Sequence, residues 1–506
     1  MDDTVPATAA QILWHAARRH PDRPCVTDLD APGGPATLTY AELVTRVAVQ
    51  AGRLRARGLR PGDRVALLRH NSLAYVQSYL AAIATGLVVV PLNVRLLRAD
   101  YRHMLTDSGS RLLLTEAEFL DRVPDVAGLE VVVGDEEAAA PLPVPEPVGA
   151  AGGDPASLMY TSGTTGAPKA VVLSHDAWRS VAGTAIAALR MDSGEVTLHV
   201  APLTHGAGFL LLPTLLLGGH NLLVRAFDAG RTLDVFAGHG VTGLFAVPSM
   251  IRMLLDARPP GWTVPAALRR LYYAGSPIDP DTLREATVAF DGRLVQSFAQ
   301  MESPMFFTLL DEADHRRILA DAATPRVRSA GRVLPGVALR IVDGNGRDLP
   351  AGVPGEILAR APQTMSGYWN RPQDTARTLA GGWLHTGDIG HLDADGYLYL
   401  VDRKKDMIVT GGSNVYAREV EEVLNALPAV KEAAVIGLPD RLWGEAVTAV
   451  LVPAGDDRDS EAVIRACRAR LAGYRVPKRV LWVDELPRNA YGKVLKRRLR
   501  ERYAPA

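Results

Sequence analysis

Apolar residues recur at two different periods along this 506-residue chain, and the way the periods alternate predicts its architecture. Thr39 and Glu42 stand three apart, the spacing of a capping box, ahead of Leu43, Val47 and Leu54 at helical intervals. Gly58 then stops the helix, and residues 65–68 make a short apolar run suited to a strand. Residues 73–84 return to the helical pattern, and residues 87–92 form a second apolar run after Gly86. Strand and helix in alternation imply an α/β fold, a largely parallel sheet covered by helices.

The pattern changes twice downstream. Residues 135–154 are rich in Ala, Pro, Gly and acids with no apolar period, which predicts a loop or subdomain joint. Residues 337–359 alternate short apolar runs with Asp343, Gly344, Asn345, Gly346, Pro350 and Gly352, the composition of antiparallel hairpins. The last hundred residues repeat the mixture on a smaller scale, with helices expected at 419–427 and 461–471 and strands at 433–437 and 447–452. A compact C-terminal α+β domain follows from that spacing.

Composition excludes several classes. A chain of this length exceeds what one hydrophobic core supports, so two or more domains are expected. Lys+Arg and Asp+Glu both number 56, so no bulk charge draws the protein to nucleic acid or an anionic membrane. Cys25 and Cys467 stand far apart with no CxxC spacing, which argues against a zinc site or a disulfide scaffold. Residues 1–11 lack a basic start followed by an apolar run, and the apolar stretch 209–217 is short and broken by Pro213. Neither a signal peptide nor a membrane span is expected, and a cytoplasmic enzyme fits.

The chemistry starts at residues 161–170, TSGTTGAPKA, between strand candidates at 156–160 and 171–173. Thr161, Ser162, Thr164 and Thr165 supply four hydroxyls, Gly163 and Gly166 free the backbone, and Lys169 adds a cation, all within nine residues. Backbone N–H groups freed by glycine, side-chain hydroxyls and one ammonium suit a polyphosphate. Lys169 lacks a following Ser or Thr and the loop leads into a strand, so this is not a Walker loop.

This loop resembles the phosphate-binding signature of the adenylate-forming superfamily, which contains acyl-CoA synthetases, luciferases and peptide-synthetase adenylation domains. Further motifs follow in that family's order as far as Lys493, and they are most similar to AMP-forming acyl-CoA ligases. The resemblance implies a large N-terminal domain over residues 1–402, with mostly parallel sheets covered by helices and a β-barrel-like subdomain. It also implies a small mobile α+β domain over residues 403–506.

The same resemblance assigns roles. APLTHGAGF, residues 201–209, places His205 at the acid pocket, and YYAGSPI, residues 272–278, sets Gly275 and Ser276 beside the adenine. SFAQME, residues 297–302, is similar to the motif written YGxTE, with Glu302 holding magnesium on ATP. Phe298 replaces the usual Tyr, Ala299 the Gly and Met301 the Thr, with Gln300 between. Phe298 retains a face that stacks on a purine, whereas Met301 has no hydroxyl for the α-phosphate. Asp388 in HTGDIG is implied to accept from both ribose hydroxyls, and Arg403 to contact the ribose or phosphate. Lys405 falls at the implied hinge. Gly411 and Gly412 would admit a long thiol arm, and Lys493 in the segment 487–499 would bridge the acid oxygen and the α-phosphate.

These readings imply an AMP-forming ligase that uses ATP and Mg2+ to activate an acid and then passes it to coenzyme A. Ser413 and Ala417 stand where close relatives often carry Glu and Pro, and Pro439 to Glu445, PDRLWGE, resembles acyl-CoA synthetases. Two alternatives stay open. One is an adenylating enzyme that loads a carrier protein or an amine, including one that activates nitrite to diazotise an arylamine. The other is a catalytically silent nucleotide-binding homologue.

Overall fold

A computed structural model describes residues 6–134, 150–161, 168–321, 323–488 and 494–504. Contacts divide the chain into two compact units, Met1–Leu339 with Ala359–Leu384 and Arg340–Leu358 with His385–Ala506.

In the first unit the local rules hold where the chain is most periodic. Glu42 N donates to Thr39 Oγ1 at 3.3 Å and Thr39 N donates to Glu42 Oε2 at 2.8 Å, which completes the expected capping box of helix Tyr40–Ala56. Such a cap is worth about 1 kcal/mol. Leu43, Val47 and Leu54 face the core, and Gly58 leaves the helix with φ at 72°. The helix expected at 73–84 spans Leu73–Ala84, capped by Ser72.

Two sheets lie in this unit. The first runs in the order Gly367–Tyr368, Lys169–Ser174, Pro155–Thr161, Val88–Pro91, Arg64–Leu68, Leu112–Thr115, Glu130–Val133. Its last five strands pair in parallel, and the two additions on the other side are antiparallel. Strands Val88–Pro91 and Leu112–Thr115 are buried at every residue, as strands covered on both faces must be. The second sheet runs Ser329–Val333, Ser303–Leu310, Leu294–Gln300, Arg270–Tyr273, Gly243–Ala246, Val196–His199, His220–Leu223, Pro24–Asp28, Ala36–Thr39. Six consecutive strands at its centre are parallel. The alternation read over residues 39–92 is borne out in the first sheet, where Arg64–Leu68 and Val88–Pro91 pair in parallel. A buried ion pair between Arg270 and Glu195, with Thr242 Oγ1 donating to Glu195 Oε1 at 2.7 Å, sits within this sheet.

The second unit carries the strands Ala338–Val342, Gly355–Arg360, Leu384–Leu392 and Tyr397–Arg403, neighbours in that order, the first two falling within the hairpin segment expected at 337–359. A five-stranded sheet follows, ordered Ser413–Val415, Ile408–Thr410, Gly444–Pro453, Val430–Asp440, with Arg479–Trp482 also paired to Gly444–Pro453. Helices Ala417–Asn425 and Ser460–Arg468 bury Val420, Leu424, Val463 and Cys467 against one face. Leu499, from helix Lys496–Tyr503, packs against the other. This is the α+β arrangement that the spacing predicted.

Gly331 is the tightest point of the larger sheet. Its φ is 92°, and a Cβ there would lie 2.1 Å from the carbonyl carbon of Leu309 on the adjacent strand. Gly331→Ala is therefore expected to cost roughly 2–4 kcal/mol through strain and overlap. Urea denaturation checks this, and an unchanged midpoint would mean that the strand yields freely.

Candidate active site

Parallel strands release their following loops at one edge of a sheet, where ligands bind in open α/β folds. Strands Val196–His199, Gly243–Ala246, Arg270–Tyr273 and Leu294–Gln300 pair in parallel. Their exits are the segments holding His205, Val247, Gly275 with Ser276, and Met301 with Glu302. Gly275 takes φ of 94°, which only glycine adopts without cost, and both it and Ser276 are exposed. Phe298, Ala299 and Gln300 close the last of these strands, and Phe298 meets Phe307 edge-on at 5.8 Å.

Packing beneath the edge depends on missing side chains. A Cβ on Gly206 would stand 2.5 Å from Cζ of Phe245, so the ring occupies the place a side chain would take. Gly208 is equally constrained by the Leu203 carbonyl, 2.0 Å from its Cβ position. The chain can therefore turn from His205 into the short helix Gly206–Leu210 directly over the sheet. Thr204 Oγ1 lies 3.1 Å from His205 Nδ1, and burial pushes the imidazole down to about 4. Met305 holds φ of 76°, rare for a residue with a side chain, and its carbonyl accepts from Ser297 Oγ, which is itself 2.6 Å from the Tyr272 hydroxyl.

Lys169 begins its strand and pairs in register with Thr161, whose Oγ1 donates to the Lys169 carbonyl at 3.5 Å. Ser162, Gly163, Thr164, Thr165 and Gly166 lie outside the described residues. The Lys169 ammonium is 3.0 Å from Asp374 Oδ2 and 5.3 Å from the ring centroid of Tyr368. The Tyr368 hydroxyl donates to Glu302 Oε1 at 2.7 Å. The structure thus joins two residues that the sequence singled out, Lys169 and Glu302, through Tyr368, which it did not. Burial, and then the neighbouring Glu302 carboxylate, push the Tyr368 phenol well above its usual range, so it stays a donor.

In the second unit Asp388 and Arg403 face each other across an antiparallel hairpin, and Arg403 Nε lies 2.6 Å from Asp388 Oδ1. Asp388 N donates to Thr386 Oγ1 at 3.1 Å, and that hydroxyl donates to the Ile357 carbonyl at 2.7 Å. Gly387, at φ of 67°, makes the bend that presents Asp388. Gly411 and Gly412 connect two paired strands as a two-residue turn with φ of 55° and 79°, the sign a type I′ turn requires at both positions. Lys405 is exposed, and Lys493 lies outside the described residues.

With this geometry in place, comparison with known proteins decides the family. The AMP-binding enzyme model matches residues 13–369, and the AMP-binding enzyme C-terminal domain model matches residues 419–493. The chain belongs to the AMP-binding enzyme family. Members of this adenylate-forming family include acyl-CoA ligases, and the protein is an ATP-dependent, AMP-forming acid ligase. It is 40% identical to a feruloyl-CoA synthase of Amycolatopsis sp over 93% of this chain and 95% of the relative. It is 36% identical to the fatty acid–[acyl-carrier-protein] ligase ScoC of Streptomyces coeruleorubidus, over 92% of each. Among solved structures it resembles the amide bond synthetase McbA of Marinactinospora thermotolerans, with a TM-score of 0.85, 31% identity and coverage of 98% and 100%. No helix among the described residues is long and apolar enough to cross a membrane.

The residues at this sheet edge fit a magnesium that would arrive on a nucleotide. Such an ion takes one or two carboxylates and completes its shell with phosphate and water, and Glu302 offers a carboxylate whose Oε1 accepts from Tyr368. Elsewhere His70, Glu116 and Glu118 approach one another closely, but the Arg225 guanidinium already joins both carboxylates.

His205 shares its depressed basicity with His199, His220 and His315, each pushed down to about 4, with burial the largest cause. In the unfolded chain these groups titrate near about 6.5. Between the two values the unfolded state binds more protons, so stability falls as pH drops from about 6.5 towards 4. Urea midpoints measured across that window should fall, and the fall should be shallower in His315→Gln. A midpoint flat down to pH 4 would mean that these imidazoles are not buried neutral.

Proposed function

We propose that this AMP-binding enzyme activates a carboxylic acid as its acyl-adenylate and transfers the acyl group to coenzyme A. The observation that carries the reading is the joined pair at the sheet edge. A carboxylate suited to magnesium and an ammonium suited to phosphate are held on either side of one tyrosine. The feruloyl-CoA synthase relative supports an organic carboxylate as the substrate and coenzyme A as the acceptor.

In the first step an acid oxygen attacks the α-phosphorus of ATP in line and pyrophosphate leaves with its electron pair. Lys169 and the hydroxyls of the adjoining loop steady the phosphates, and Lys493 meets the charge that grows on the α-phosphoryl oxygens. Magnesium, when bound at Glu302, neutralises phosphate charge. Asp388 accepts from the ribose hydroxyls, and its ion pair with Arg403 fixes the direction of the carboxylate. His205, neutral at physiological pH, borders the acid without adding a charge to the pocket. In the second step the thiol sulfur attacks the acyl carbon and AMP departs, and the Gly411–Gly412 turn offers backbone with no side chain in the thiol's path.

A second acceptor reading has specific support. Relatives of comparable similarity are named as a ligase to acyl carrier protein and as an amide bond synthetase. A phosphopantetheine thiol on a carrier protein, or an amine, would complete the same chemistry.

The deciding experiment incubates the protein with Mg-ATP and a panel of aliphatic and aromatic acids, nitrite with an arylamine included, with and without coenzyme A. Mass spectrometry reads the products. A thioester together with AMP and pyrophosphate is expected. AMP formed only when carrier protein or amine is supplied would overturn the coenzyme A assignment, and no pyrophosphate with any acid would overturn the whole reading. Lys493→Ala should lower pyrophosphate release about 100- to 1,000-fold, the loss typical of removing one preorganised charge stabiliser. A parent-like rate would remove Lys493 from the chemistry.

A further inference from the structure

One side chain at the proposed nucleotide site belongs to no motif read from the sequence. Tyr368 lies on the two-residue strand Gly367–Tyr368, which pairs antiparallel with Lys169–Ser174. Main-chain bonds fix this strand on both sides, Ser366 N to the Val172 carbonyl at 3.0 Å and Trp369 N to the Ala170 carbonyl at 2.9 Å. Tyr368 N donates to Thr375 Oγ1 at 2.8 Å, at the foot of helix Pro372–Thr378, which also supplies Asp374. Met365 N donates to the Glu302 carbonyl at 2.8 Å, so the same segment anchors the backbone beneath the carboxylate. The tyrosine's backbone is therefore held by main-chain bonds and by the helix that follows it, apart from the side-chain contacts it makes.

We infer that Tyr368 is a positioning residue: its hydroxyl, bonded to Glu302 Oε1, turns the other carboxylate oxygen to the nucleotide's metal, while its ring seats Lys169 for the phosphates. The inference rests on Glu302 being the metal carboxylate, as proposed above. Three features carry it. A phenol has a single proton to donate, and it is spent on one oxygen of Glu302 at 2.7 Å, which fixes the carboxylate's rotation. A carboxylate so held offers one oxygen to a small ion that demands near-octahedral geometry. The ring lies 5.3 Å from the Lys169 nitrogen, within cation–π range, while Asp374 holds that ammonium from another side at 3.0 Å. Glu302 accepts from Tyr368, whose ring faces Lys169, which is paired with Asp374, so each group restrains the next.

Tyr368→Phe tests this because it keeps the ring and removes only the hydroxyl. Calorimetry measures binding of α,β-methylene-ATP, which cannot release pyrophosphate, across a series of Mg2+ concentrations and with no metal at all. The Mg2+ concentration for half-maximal binding should rise about tenfold, a loss of ~1.4 kcal/mol. Metal-free binding and the thermal midpoint should stay at the parent values. Glu302→Gln should abolish the Mg2+ dependence, and adding Tyr368→Phe to it should change nothing further. Parent-like Mg2+ dependence in Tyr368→Phe, with the dependence lost in Glu302→Gln, overturns the role of Tyr368 alone. Parent-like dependence in Glu302→Gln overturns the metal assignment and this inference with it. Equal weakening with and without Mg2+ in Tyr368→Phe would mean that the hydroxyl is structural, which also overturns it.

Discussion

Hydrogen bonding in one direction is the constraint from which the rest of the molecule follows. Six strands in the larger sheet run parallel, and parallel strands cannot be joined by hairpins, so every connection must cross a face of the sheet and return. The crossings cover the sheet with helices, and the exits gather on a single rim. His205, Gly275, Ser276 and Glu302 share that rim although nearly a hundred positions separate the first from the last. The antiparallel additions then do separate work. Lys169–Ser174 turns back from Pro155–Thr161, and Gly367–Tyr368 adds to it, so Tyr368, with Lys169 over its ring, reaches the Glu302 carboxylate from another sheet.

The cations singled out in each unit are paired within that unit. Lys169 is paired with Asp374, and Arg403 with Asp388. The Lys169–Asp374 pair is partly exposed, where ion pairs contribute little to stability and exchange partners readily, so an anion can draw Lys169 from Asp374 at modest cost. Asp388 is buried, and its pair with Arg403 is the more firmly held. The deeply buried Arg270–Glu195 pair is of another kind, since separating it would leave a charge without water. It serves the sheet and not the ligand.

Much of this was legible in the sequence, for physical reasons that differ by element. Helix Tyr40–Ala56 was readable because its capping box and apolar stripe agree, and Leu73–Ala84 because its apolar run is of helical length. Lys169 stood out in the sequence because glycines, hydroxyls and a cation crowd together there, and the structure sets it between Asp374 and Tyr368. Tyr368 and Asp374 were not readable at all. They stand among turn residues with no period, and the bond from Tyr368 to Glu302 spans 66 positions, a distance at which local pattern carries no information. The left-handed backbone of Met305 was equally hidden, because a buried methionine in a strand reads as ordinary core until the Ser297 and Tyr272 hydroxyls beside it are known.

The Phe245 ring standing where a side chain of residue 206 would go makes two distant positions into one unit of variation. Volume in that corner is fixed, so a larger residue at 206 demands a smaller one at 245, and either change alone leaves an overlap or a hole. Relatives that handle differently shaped acids should therefore differ at both places or at neither. Libraries meant to reshape this corner would do best to vary the two codons jointly, because single replacements sample mostly strained or hollow proteins.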